Sequence, residues 1–227
     1  MHIHKPKPVR NLIEFLSEIS VIVVGIFIAL AGEQLLEGFH WRHEVAETRA
    51  SLSQELAQDV RDMELRSAES ACASARLDEL TRFEESWRRG RPLKLAAPPQ
   101  GPFLPSYQDA AWSQARANPV FTHMPLSARQ AYSHIYLLIG FLDDQRQREL
   151  DDWDNLAGLD QVRHLDDRDL MLLARALQRL RRYNGFYAFN RPTIEELARK
   201  LHIASKPVPL SQIPFIDHVC APLLAPA

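Results

Sequence analysis

At 227 residues the chain has room for one domain of ordinary size and an appendage. Its 27 Lys and Arg stand against 29 Asp and Glu, so there is no broad basic field and no nucleic-acid partner is expected. A hydrophobic content of 46% with 25% charged residues excludes a disordered chain, and two cysteines exclude a disulfide-rich scaffold.

Residues 1–11 form a short tail carrying Lys5, Lys7 and Arg10. The strongly apolar, uncharged run from Ile19 to Gly32 follows. As a helix that run covers about 21 Å, short of the ~30 Å hydrocarbon core of a bilayer. Extending it over 12–38 supplies the missing length and places Glu14, Glu18 and Glu33 near the headgroups. A transmembrane helix is therefore expected over 12–38, in contact with membrane lipid. A cleaved signal peptide, with Ala29-Leu30-Ala31 as its small-residue site, and a buried core helix are the alternatives. Glu14 and Glu18 ahead of the apolar run speak against the signal peptide. Positive charge before the span predicts a cytoplasmic N-terminus and an extracytoplasmic C-terminal domain.

At 100° per residue Glu14, Glu18, Gly25, Ala29 and Gly32 fall in one narrow stripe. Gly25-x-x-x-Ala29 is a small-x-x-x-small pair, which lets a second helix approach closely. A homo-oligomer, or another membrane protein bound through this helix, is the expected partner.

The stretch from Glu14 to Leu30, with its Val-Val-Gly-Ile-Phe-Ile-Ala-Leu core, is followed by Trp41 and a charged helix reaching Leu52 and Leu56. It resembles an uncharacterised bacterial single-pass membrane protein family with an acidic-then-apolar N-terminal span and a helical extracytoplasmic domain. A weaker echo runs through Ala111-Trp112, His123-Met124-Pro125, Arg129 and Tyr132. The resemblance implies the bacterial inner membrane, with the helical domain in the periplasm. It implies no reaction.

Beyond the span, 39–203 reads as a helical bundle. No Gly or Pro interrupts Phe39 to Arg89, and apolar residues recur at Trp41, Val45, Leu52, Leu56, Val60 and Met63, then at Leu77, Leu80, Phe83 and Trp87. One long amphipathic helix fits, continuous with the span. The small residues of 67–75 mark either a close helix crossing or a weakly packed turn. Five prolines make 90–105 an extended loop. Ser106 and Asp109 read as a capping box for a short helix bearing Trp112. Pro125 opens the next helix, whose apolar face holds Tyr132, Ile135, Ile139, Leu142, Leu150 and Trp153, with Arg146 as an intruder, and Gly158 closes it. Asp166 starts the last long helix, whose seam continues past Pro192 although Thr193 and Glu196 form a second capping box; a kink or short break is expected near Asn190–Pro192. Residues 204–227 are proline-spaced and read as an extended C-terminal strap. In an oxidising periplasm, Cys72 and Cys220 would form a disulfide pinning that strap to the first long helix.

The overall expectation is an all-α protein: an N-terminal transmembrane helix continuing into an elongated antiparallel bundle with a Pro-rich strap. No catalytic, cofactor-binding or metal-binding residues are assigned, and no enzyme activity is expected. His40-x-x-His43 lies on one helical face but has no third ligand nearby in sequence. Tyr132, Tyr136, Asn184, Tyr187 and Arg191 lie on the core seams of two helices expected to pack symmetrically about a turn near Gln161, and form either a bundle pocket or a register device. A membrane-anchored scaffold or accessory subunit is the leading function. A periplasmic ligand-binding or sensory bundle, signalling through a partner, is the alternative.

Overall fold

The computed structural model describes residues 12–203 and 216–225; the N-terminal tail, the side chain of Glu14 and the first half of the strap lie outside the described residues. The fold is all-α. The first helix, α1 (Leu12–Ala68), runs without interruption from the apolar segment into the bundle. At 1.5 Å per residue its 57 residues span about 85 Å. The expected single helix to Arg89 is interrupted at one point: Glu69 separates α1 from α2 (Ser70–Arg88). Ala73 N–H still donates to Glu69 C=O, so the helical bonding resumes at once.

Two short helices, α3 (Ala110–Ala117) and α4 (Val120–His123), and the long α5 (Leu126–Leu156) follow. A 3₁₀ turn at Leu159–Gln161 leads to α6 (Asp167–Lys200), and α7 (Ile216–Cys220) lies in the strap. Among the described residues the only β pairing is an isolated antiparallel bridge between Leu95 and Leu224. The strap is thus not extended throughout, since α7 occupies its middle.

The bundle has three long members: α1 continued by α2, α5, and α6. Arg191 of α6 reaches Glu64, Asn184 reaches Arg66 and Ser70, and Arg181 reaches Asp78. Rising numbers on one side meet falling numbers on the other, so α6 is antiparallel to the α1–α2 rod. Two apolar clusters fill the rod in series. The first joins Leu52, Leu56 and Val60 to Tyr132, Ile135, Ile139, Tyr187 and Ile194; the second joins Leu77, Leu80 and Phe83 to Trp153, Leu173, Leu177 and the strap's Leu223.

Four local expectations need correction. Asp152 pairs with Arg179 instead of lying opposite Met171, so α6 is shifted by about two turns from the symmetric register. Ser106 does not cap α3, which starts at Ala110; its first free N–H groups are taken by Glu55 of α1, which displaces the local capping box. Of the kink or short break expected near Pro192, the break is absent: α6 is one helix from Asp167 to Lys200. Pro192 lacks the N–H that would reach Ala188 C=O, and the helix continues because Ile194, Leu197 and Ala198 stay in the core. Leu150 is only half-buried; Glu149 takes the core position in its place. By contrast, Asp166 starts α6 as expected from the sequence, and with Asp169 it also closes a reciprocal capping box.

The loop between α2 and α3 crosses the rod at one tight point. A Cβ built on Gly101 would sit 2.5 Å from the Trp153 ring, so the backbone there lies directly on the indole. Trp153 is otherwise closed in by the second cluster.

Candidate functional site

One helix among the described residues is long and apolar enough to cross a membrane, with a window of mean hydropathy 2.3, none of it buried. Val21, Ile22, Phe27 and Ile28 project into open surroundings, which no core helix of a soluble bundle does. Gly25 and Gly32 likewise have nothing within 4 Å of a built Cβ. Ala29 and Gly32 of the stripe lie with Glu33, Leu36 and His40 along one open side of this helix.

The phase of the stripe relative to the bundle follows from counting. Gly25 and Ala29 each lie 27 residues before Leu52 and Leu56, the first buried residues of α1. Twenty-seven residues make seven and a half turns. The small-residue stripe therefore points away from α5 and α6, and a second helix can lie along it without meeting the bundle.

Outside the span, α1 and α2 form a spine of carboxylates that hold the loops. Glu69 accepts from Phe103 N–H (2.5 Å), Asp59 from Gln108 N–H (2.9 Å) and Glu55 from Ala111 N–H (2.8 Å). The Tyr136 hydroxyl also donates to Glu55 at 2.7 Å, and its ring stacks on Trp112. The loop descends this ladder antiparallel to α1. Farther up, Glu79 accepts from Leu223 N–H, while Arg76 donates to the carbonyls of His218, Val219 and Ala221. Those carbonyls belong to the end of α7 and its exit, where helical partners run out. The Cys72–Cys220 disulfide pins the same segment to α2.

Burial costs these acids. It pushes the Asp59 carboxyl up to about 7 against the opposing Gln108 hydrogen bond, with Glu55 adding repulsion. Burial likewise raises Glu64, against the pull of Arg191, and Glu69, against the Phe103 hydrogen bond. Glu149 is also raised by burial, although Arg66 pulls it down.

Arg66 is the centre of the interior. Its side chain has no exposed surface and Glu149 has 1%, and they pair at 2.6 Å. Arg66 Nη1 donates to Asn184 Oδ1, and Asn184 Nδ2 donates in turn to Ser70 C=O and Ser74 Oγ. The guanidinium carbon lies 4.6 Å from the Tyr187 ring centroid. The small side chains of 67–75 thus serve as a close crossing for α6, with a turn at Glu69 as well.

The five residues read from the sequence as either a bundle pocket or a register device are divided among separate contacts. Asn184 and Tyr187 join Arg66; Tyr136 joins Glu55. The buried Tyr132 hydroxyl has no hydrogen-bond partner, and Arg191 lies at the half-exposed margin between Glu64 and Glu195. The two-turn register shift separates them. Of the histidines in the span-proximal pair, His43 contacts Glu47 and His40 tilts against Trp41. Arg66, Glu149, Glu55, Asp59 and Glu69 were not singled out from the sequence. The one available signal was the gap in the apolar seam between Met63 and Leu77.

No protein-family model, curated protein or solved structure matches the chain.

Proposed function

We propose that this chain is a membrane-anchored helical scaffold or accessory subunit that works through protein–protein contacts of its membrane helix and bundle surface. In this reading the 12–38 segment crosses the bacterial inner membrane once, the tail is cytoplasmic and the bundle is periplasmic. The observation that carries the reading is the half-turn offset of the Gly25–Ala29–Gly32 stripe from the core face on one unbroken helix. Such an anchor can dock a partner in the bilayer while leaving the bundle free outside it. A disulfide closing the strap accords with an oxidising compartment. The bacterial family rests on the sequence resemblance, and the orientation on Lys5, Lys7 and Arg10 ahead of the span.

Gentle detergent extraction followed by native mass spectrometry tests the proposal. A homo-oligomer or a stoichiometric membrane partner is expected, lost in Gly25→Leu and Ala29→Leu while the bundle's melting curve is unchanged. A lone monomer from the parent chain would overturn it.

A further inference from the structure

We infer that the corner formed by α4 and the start of α5 is a second membrane contact, seated at the level of the lipid headgroups beside the anchor. The inference rests on the membrane reading above and adds to it a surface of the bundle. A 30 Å hydrocarbon core centred on the Ile19–Gly32 run covers about 20 residues, ending near Leu36. The headgroup zone adds about 5–7 Å, and Trp41, five residues beyond Leu36, lies about 7.5 Å on, at its outer edge. His123 of α4 stacks on Trp41 with ring centroids 3.9 Å apart. The corner is therefore held at that height by a direct ring contact.

Among the described residues, the path of the chain shows why this corner alone reaches so low. Ala111 lies beside Glu55, and Asn118 and Val120 line a cleft with Glu44, Glu47 and Thr48, so α3 descends along α1 toward the span. The chain turns at Met124-Pro125 and α5 climbs away. The other descending helix, α6, crosses Glu64 at Arg191 and ends nine residues later at Lys200, well above Trp41.

The chemistry of the corner suits an interface. Between Arg116 and Arg129 there is no charged side chain, in a chain that is 25% charged. Leu126 at the tip is 60% exposed, with Phe121 half-buried behind it and Phe39 of α1 exposed below. Trp41 and His123 have the amphipathic rings favoured at the boundary between acyl chains and headgroups. An exposed apolar tip held at the outer edge of the headgroups beside a membrane helix gains by dipping among them.

The test uses the full chain in nanodiscs of mixed zwitterionic and anionic phospholipid, with single bimane labels at Leu126→Cys, Thr122→Cys, Phe27→Cys and Leu137→Cys. Lipids with a nitroxide on the headgroup are expected to quench positions 126 and 122 at least about twofold more than position 137, an exposed leucine far up α5. Lipids with a nitroxide deep in the acyl chain should quench position 27. Quenching at both 126 and 122 no greater than at 137 would overturn the inference. An unquenched position 27 would instead overturn the membrane reading itself, so the two failures are told apart.

Discussion

A guanidinium without exposed surface must find acceptors inside the fold, and Arg66 finds them on two different helices: Glu149 on α5 and Asn184 on α6. Removing one partner of such a pair strands a buried charge. Glu149→Gln and Arg66→Met are each expected to cost about 3–5 kcal/mol in urea unfolding, whereas Arg66→Met with Glu149→Met should recover most of the loss. Additive losses in the double variant would contradict the pairing. Asp59 supplies a pH dependence of defined sign. Its folded carboxyl titrates at about 7 against an ordinary 3.8, so the folded state holds a proton that the unfolded state has released across that window. The stability it contributes is fully present below about pH 4 and is lost as pH rises through about 7. Asp59→Asn should raise the melting temperature at pH 8 by several degrees, leave it unchanged near pH 4, and flatten the slope between; a slope equal to the parent's would refute this. Of these residues only Asn184 was marked beforehand, on its helix seam, and the rest were not legible for a physical reason. Composition treats Arg, Glu and Asp as surface residues, and only the register of three helices shows that residues 66, 149 and 184 meet.

Elements were easier to read than their contacts, because helix ends carry local chemistry while contacts do not. Asp166 and Asp169 announced the start of α6, and the apolar seam ran true through Pro192 because tertiary packing outweighed one missing N–H. Where a distant group supplies the cap, as Glu55 does for α3, the local signal at Ser106 misled. The strap shows how such distant contacts add up. Arg76, Glu79 and the paired backbone of Lys94–Ala96 with Leu223–Ala225 hold it, and Leu223 is wholly buried in the second cluster. The disulfide closes a loop with a sequence separation of 148 residues. Reduction, or Cys220→Ser, is expected to lower stability by about 4–5 kcal/mol through loop-closure entropy. Hydrogen exchange should then speed up at Ala96, Leu223 and Ala225 before the rest of the bundle responds. Unchanged protection at those amides would show that the strap holds itself without the covalent link.

For the molecule as a whole, on the proposed membrane reading, one unbroken helix fixes the rotation and the height of the bundle relative to the bilayer, and the two can be uncoupled by insertion. Two alanines placed after Gly38 rotate everything beyond by about 200° and raise it by only about 3 Å. The small-residue stripe would then face the same side as α5 and α6, so a second helix docked on Gly25 and Ala29 would meet the bundle. Association through the span is expected to be lost. Seven inserted residues rotate the bundle by a net of only about 20° but lift it by about 10 Å. Association should survive that change, while headgroup quenching at Leu126 should fall to the level of Leu137, since the corner at His123 leaves the interface. Glutamate and lysine pairs in the longer insert would keep it helical without adding apolar surface. If the two-residue insertion leaves the oligomer intact, the stripe does not set the partner's position. If the seven-residue insertion leaves the quenching intact, the corner is not held by α1. Each result bears on one feature of α1 alone, its rotation or its length, so the anchor's two proposed roles stand or fall separately.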